Sequence, residues 1–239
     1  LDTEGKVKLD TPMASESKKP DQELVTKDSI RAMRRSYGEA GLSEQSAGMD
    51  PINLFHHWLH EASENLMIVE ANAMVLSTSI DNQPVSRTVL LKDVHHSGFT
   101  FFTNYLSRKA KAISDNPNVS LLFPWYAMER QVIVTGKAKK VSEEESAEYF
   151  ATRPWESQIG AWASSQSDEL ESREVLEARY QEYAKKYPQD QLVPKPDHWG
   201  GYLVEPTSIE FWQGRYSRLH DRLRFEGSAK DWRRTRLNP

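Results

Sequence analysis

Arg218, His220 and Arg222 stand at i, i+2 and i+4 inside the stretch EFWQGRYSRLHDR, from Glu210 to Arg222. On a strand this spacing turns all three side chains to one face. Two guanidiniums and an imidazole on one face repel one another unless an anion lies between them. The plain alternative is a solvated strand face. Trp212, in the preceding Phe211-Trp212-Gln213-Gly214, favours the anion. An indole beside cations offers a flat apolar surface to a ring system.

Further cations recur inside apolar segments. Arg87 and Lys92, in RTVLLK, are five apart, so a regular strand sends them to opposite faces. They read equally as edge-strand gatekeepers or as contacts to two anionic ligands near one strand. One charge-assisted hydrogen bond contributes about 1.5–3 kcal/mol, so a few can hold a phosphate. Ser107-Arg108-Lys109 precedes a short helix, and helix N-termini favour anions; a plain basic helix start gives the same string. Tyr149 and Arg153 are at i and i+4 on one helical face, with Ser157 beyond them. Phenol, guanidinium and hydroxyl together make a phosphate cradle, or simply an amphipathic helix end.

Other chemistries are excluded. There is no cysteine, so disulfides, thiolate nucleophiles and Cys-based metal sites are absent, which fits a reducing compartment. His56 and His60 are at i and i+4, but no third ligand stands at suitable spacing and the string is not HExxH; no metal is expected. His95-His96 fall in a turn facing solvent, and no Ser–His–Asp arrangement is assignable. Neither GxGxxG nor GxxxxGK[ST] occurs, so side chains must do much of any phosphate binding.

The elements that position these residues follow from patterning. The 239 residues suit one domain, or one domain plus arms. Residues 1–27 are polar and aliphatic-poor, without the apolar stretch of a signal peptide; they are expected to be a flexible arm, with 28–239 as a single domain. No run of about 18 apolar residues exists, so no membrane span is expected. The net charge of −4 speaks against a general nucleic-acid surface. A short helix is expected over 28–37 and another from Asp50-Pro51, whose apolar face is Ile52, Phe55, Trp58, Leu59, Ala62 and Leu66. Strands are expected over 72–80 and 84–92, joined at Asp81-Asn82-Gln83, then over 99–104, 118–125 and 130–141. Residues 105–115 read as a helix. Ser142 and Glu145 give a capping box for a helix to about Thr152, and a polar helix spans about 172–187. Residues 199–226 return to strand character, with a turn near Gly214. The sum is mainly β with added helices, an antiparallel barrel rather than a doubly wound fold.

Several of these segments together resemble the pyridoxine (pyridoxamine) 5′-phosphate oxidase family: RTVLLK (87–92), FFTNYLSRKAKAI (101–113), ERQVIVTG (129–136), YFATRPWESQIGAWASSQS (149–167), WGGY (199–202) and IEFWQGRYSRLHDR (209–222). The likeness runs from about Ile30 to Pro239. It implies an FMN-binding split β-barrel, Greek-key-like and antiparallel, and a homodimer with FMN sites at the subunit interface. It implies oxidation of pyridoxamine 5′-phosphate or pyridoxine 5′-phosphate by O2 to pyridoxal 5′-phosphate with H2O2, plus NH3 from the amine. A cytoplasmic location is expected, with a mitochondrial one left open.

By motif position the resemblance assigns FMN to the run Arg87, Thr88, Val89, Leu90, Leu91 and Lys92, to Phe102 and Thr103, to Arg108 and Lys109, and to Gln131, Gln166, Ser167, Trp212 and Arg222. It assigns substrate phosphate to Lys92, Tyr149, Arg153 and Ser157. Arg218, Leu219 and His220 meet the substrate, with Arg218 and His220 as the catalytic pair holding the pyridine ring. Arg34, Arg35, Ser36 and Tyr37 resemble the family's lid. Phe102 stands where some members carry Tyr, Asn238 where Ala is frequent, and Arg215-Tyr216-Ser217 is variable; none of these removes a cationic ligand. Two other readings stay open: a split-barrel flavin reductase with another substrate, and a non-enzymatic flavin or pyridoxal phosphate binder.

Overall fold

A computed structural model describes residues 27–32, 36–228 and 231–239. The chain divides between Arg35 and Ser36 into two units. The described element of the first is helix α1 (Lys27–Ala32). Arg34 and Arg35 of the expected lid, and residues 1–26 of the expected arm, lie outside the described residues. Ser36 to Gly38 are not helical, so the helix expected to reach residue 37 does not.

In the second unit α2 (Glu44–Ala47) and α3 (Pro51–Glu64) lead into β1 (Ala73–Ile80), β2 (Gln83–Leu90), β3 (Asp93–His95) and β4 (Gly98–Asn104). Then come α4 (Arg108–Asp115), β5 (Asn118–Trp125), β6 (Arg130–Lys140), α5 (Glu143–Thr152), α6 (Trp155–Ala163) and α7 (Arg173–Lys186). The long β7 (Trp199–Gln213), then β8 (Asp221–Ser228) and β9 (Asp231–Leu237), complete the chain. All ladders are antiparallel in one nine-stranded sheet of order β2-β1-β5-β6-β7-β4-β3, with β8 added to β7 and β9 to β8. The sheet does not close on itself: the fold is a split barrel, mainly β with added helices, as the sequence led us to expect.

Local chemistry explains the elements. Asp81 and Asn82 sit at φ of 49° and 62° between the paired Ile80 and Gln83. That two-residue turn with both φ positive matches the strand twist and sets the hairpin register. Asp50 caps α3 by accepting from the N–H groups of Ile52 and Asn53, with Pro51 in the first turn. The helix buries Ile52, Phe55, Trp58 and Ala62, and Phe55 packs edge-on to Phe99 and Phe123. Leu66 does not share this face: the helix ends at Glu64, and Leu66 is fully exposed in the loop beyond.

β7 matters most for the site. Its first part pairs with β4 and its last with β8, while β6 runs along both. Between the parts the register shifts near Thr135 and Gly136, leaving Thr207 unpaired as a bulge. A smaller apolar cluster of Phe150, Ile159, Val193 and Trp199 joins α5 and α6 to the start of β7. Helix α6 lies in a segment for which the sequence predicted no helix; Pro154 is the N-cap from which it starts.

Candidate active site

A cleft of about 760 Å³ opens between β2, β4, α5 and α6. Thr88, Val89 and Leu90 reach it from β2, and Lys92 from just beyond; Phe102 and Thr103 come from β4. Lys109 enters from the first turn of α4, Tyr149 from α5, Ser157 from α6 and Gln166 from the turn after it. Residues expected to hold two different phosphates therefore share one cavity.

Its wall is aromatic. Phe102 stacks on Tyr149 at 4.1 Å between centroids and on Trp199 at 5.4 Å. Gly201, paired with Phe102, permits this: a Cβ there would lie 2.7 Å from the Phe102 ring. The Arg153 guanidinium sits over Trp199, 4.8 Å from the ring centre. The i, i+4 spacing puts Arg153 on a helical face with Tyr149, but Arg153 is not helical. Pro154 disfavours the helical conformation for the residue before it, and Arg153 takes φ −74° and ψ 147°. Both Tyr149 and Arg153 still line the cleft. Trp199, in the WGGY motif, has no role in the sequence reading; a lone Trp before two glycines is the available signal.

The electrostatics are those of an anion site. Arg153 Nη1 is buried with no hydrogen-bond partner. Burial lowers this guanidinium's pKa, opposed by Tyr149. Leaving a buried donor unpaired costs about 1–3 kcal/mol, and more for a charged group. Lys109 donates to Thr103 Oγ1 at 3.0 Å, Ser107 Oγ at 3.3 Å and Gln166 Oε1 at 2.7 Å, all neutral oxygens. Burial first, then the charge of Arg87, pushes its ammonium down to about 8. Arg87 lies beside the cleft, donating to Leu76 O and Thr78 Oγ1 at 3.1 and 2.8 Å. Its own pKa is lowered by burial and by Arg108. Among the described residues no carboxylate pairs with Arg87, Lys92, Arg108, Lys109 or Arg153.

A second patch lies at the far end of β7. Gln131, Trp212 and Arg222 are direct cross-strand partners on β6, β7 and β8, so they form one row on one face. The Trp212 ring meets His220 at 4.7 Å and Tyr37 at 5.8 Å, and Tyr37 meets His220 edge-on at 5.3 Å. Arg215 N–H donates to His220 Nδ1 at 3.1 Å, so the neutral ring carries its proton on Nε2. Burial and the nearby Arg218 lower the pKa of His220, which favours that neutral form.

The expected single strand face of Arg218, His220 and Arg222 is not formed. β7 ends at Gln213, and the chain reverses over 214–220 before β8 pairs back. Ser217 and Arg218 sit at φ of 55° and 62°, which a pleated strand does not allow. Arg218 and Leu219 are exposed on this turn. Arg222 is on β8 and is held by Glu210, donating from Nε at 2.8 Å and Nη2 at 2.6 Å. Of the remaining residues singled out, Leu91 is buried in the core, Ser167 follows Gln166 at φ 77°, and Ser36 is exposed. From Gly201, beside the cleft, to Trp212 is roughly 36 Å of strand at about 3.3 Å per residue. The two patches thus stand apart within one copy of the chain.

Comparisons with known proteins converge. Residues 59–187 match the family model described as pyridoxamine 5′-phosphate oxidase, and residues 199–239 match that of the pyridoxine 5′-phosphate oxidase C-terminal dimerisation region. A pyridoxine/pyridoxamine 5′-phosphate oxidase of Rubrobacter xylanophilus is 52% identical over 211 residues, covering 88% of this chain and 96% of its own. PhzG from Burkholderia lata 383, solved with tetrahydrophenazine-1-carboxylic acid, superposes with a TM-score of 0.78 at 30% identity, covering 86% of this chain and all of its own. A pyridoxamine 5′-phosphate oxidase-related, FMN-binding protein of Nostoc punctiforme shares the fold, with a TM-score of 0.63 at 16% identity over 78% of this chain and 96% of its own.

Proposed function

Since the chain belongs to the pyridoxamine 5′-phosphate oxidase family, we propose that it is an FMN-dependent oxidase. It converts pyridoxamine 5′-phosphate and pyridoxine 5′-phosphate to pyridoxal 5′-phosphate with O2, releasing H2O2, and NH3 from the amine. The observation that carries this reading is the buried, partnerless Nη1 of Arg153 in a cleft whose cations lack carboxylates. Such a group calls for an anion, and the aromatic stack beside it suits a phosphorylated ring.

Lys92, Tyr149, Arg153 and Ser157 take the substrate phosphate. Lys109, with Arg87 and Arg108 behind it, takes the phosphate of FMN, alongside Thr88 to Leu91, Phe102, Thr103, Gln166 and Ser167. These unpaired cations and the flat row of Gln131, Trp212 and Arg222 fit a phosphorylated flavin. When bound, FMN supplies the acceptor for a hydride from substrate C4′ and hands the electrons to O2. The protein supplies position. Anchoring the phosphate fixes the ring's orientation, where most of the rate advantage of a positioned reaction arises. Arg218 covers the open face of the ring, Leu219 adds apolar contact, and His220 donates from Nε2 to the polar edge.

Because the patches stand apart in one copy, the site is completed between two. The cleft of one protomer meets the Trp212–Arg222 patch of its partner in a homodimer, consistent with the matched dimerisation region. Tyr37, packed on Trp212 and His220, fits a contact to the substrate ring. Residues 28–239 act as one oxidase domain, in the cytoplasm. An aerobic assay of FMN-loaded protein with pyridoxamine 5′-phosphate tests the proposal: aldehyde and peroxide should form together. Binding without turnover, or turnover of another substrate alone, would refute it.

A further inference from the structure

Glu210 has no part in the roles assigned above, yet it is among the most constrained charges of the fold. It lies on β7 with only 8% of its side chain exposed. Its neighbour two residues on, Trp212, points to the same face. Its cross-strand partner is Arg224, and that of Trp212 is Arg222. The carboxylate is fully divided between the two arginines. Oε1 accepts from Arg222 Nε and Nη2 at 2.8 and 2.6 Å, and Oε2 accepts from Arg224 Nε and Nη2, both at 3.1 Å. Arg222 spends its remaining Nη1 on Asn238 O at 3.0 Å. The guanidinium is thus locked before any ligand arrives.

We infer that Glu210 is a positioning residue, which holds Arg222 in the row with Trp212 and Gln131 in the orientation that receives FMN. This rests on the flavin reading above. A side chain with many rotamers loses conformational freedom when ordered, and Glu210 removes that cost from the binding step. Arg224 stands in the next row of the same face and completes the pairing of the carboxylate.

The test uses the full-length chain and FMN as the probe. Apoprotein is titrated with FMN, following fluorescence quenching, in an Arg224→Gln background that removes the competing guanidinium. Three proteins are compared: Arg224→Gln alone, with Glu210→Gln added, and with Glu210→Leu added. An amide oxygen at 210 can still accept from Arg222, so the first two should bind FMN alike. The leucine variant should bind at least about tenfold more weakly, because it accepts no hydrogen bond from Arg222 and leaves that guanidinium unoriented. Its KM for pyridoxamine 5′-phosphate at saturating FMN should be unchanged, because the phosphate cradle is elsewhere; general unfolding would move both. Equal FMN affinity in the amide and leucine variants overturns the inference while leaving the flavin reading intact. Failure of the parent protein to bind FMN removes both. Should the leucine variant not fold, Glu210→Ala in the same background replaces it, with the same two outcomes.

Discussion

At the scale of single residues, the molecule keeps a charge in a place that only a ligand justifies. Arg153 is buried with one nitrogen unpaired, so its replacement should remove substrate affinity more than it harms the fold. Arg153→Ala is expected to raise KM for phosphorylated substrate by about tenfold or more, with a smaller effect on FMN content, read by steady-state kinetics and flavin absorbance. Lost FMN with unchanged KM would mean that the two phosphate subsites are exchanged. Arg218→Ala should lower kcat/KM by about a hundredfold while the protein stays yellow, because the role proposed for Arg218 is to position the ring rather than the cofactor. Turnover like the parent's would remove its role. Lys109 adds a pH dependence. Its free ammonium titrates near 8. A bound anion favours the charged form and raises that pKa. FMN affinity is therefore complete below about 8 and falls as pH rises through that value toward the raised one. Dissociation constants measured from pH 7 to 9.5 should rise with pH, and Lys109→Met should flatten that rise.

At the scale of elements, much was legible because local signals were strong. The Asp81-Asn82 turn, the Asp50 and Ser142 caps and the alternating strands all lie where their chemistry places them. Ser142 accepts from Glu145 N–H at 3.0 Å at the start of α5, which carries Tyr149. Ser142→Ala should cost about 1 kcal/mol and lower Tm by a few degrees in a thermal scan, with room-temperature turnover retained. What was not legible depended on one residue overriding a period. Pro154 pulled Arg153 out of α5 and started α6, and the chain reversal after Gln213 consumed the residues that a strand reading had assigned to one face. Spacing alone cannot register a reversal whose Ser217 and Arg218 are neither Gly nor Asn yet take left-handed φ.

At the scale of the whole molecule, the basic segments could be recognised as anion sites in sequence, but not how they are shared out. Strand order and the length of β7 separate the cleft with Arg153 from the turn with Arg218 and His220. The proposed homodimer, in which each cleft faces the partner's turn, resolves the separation. Complementation tests this most directly. Arg153→Ala and Arg218→Ala chains are co-expressed and assayed together at substrate well below the KM of the Arg153 variant. In a mixed dimer one site carries both lesions and the other carries none. Random pairing should therefore restore about a quarter of parental turnover, far above either variant alone. Turnover no greater than the mean of the two single variants would show that each site is built within one chain, and would contradict the account.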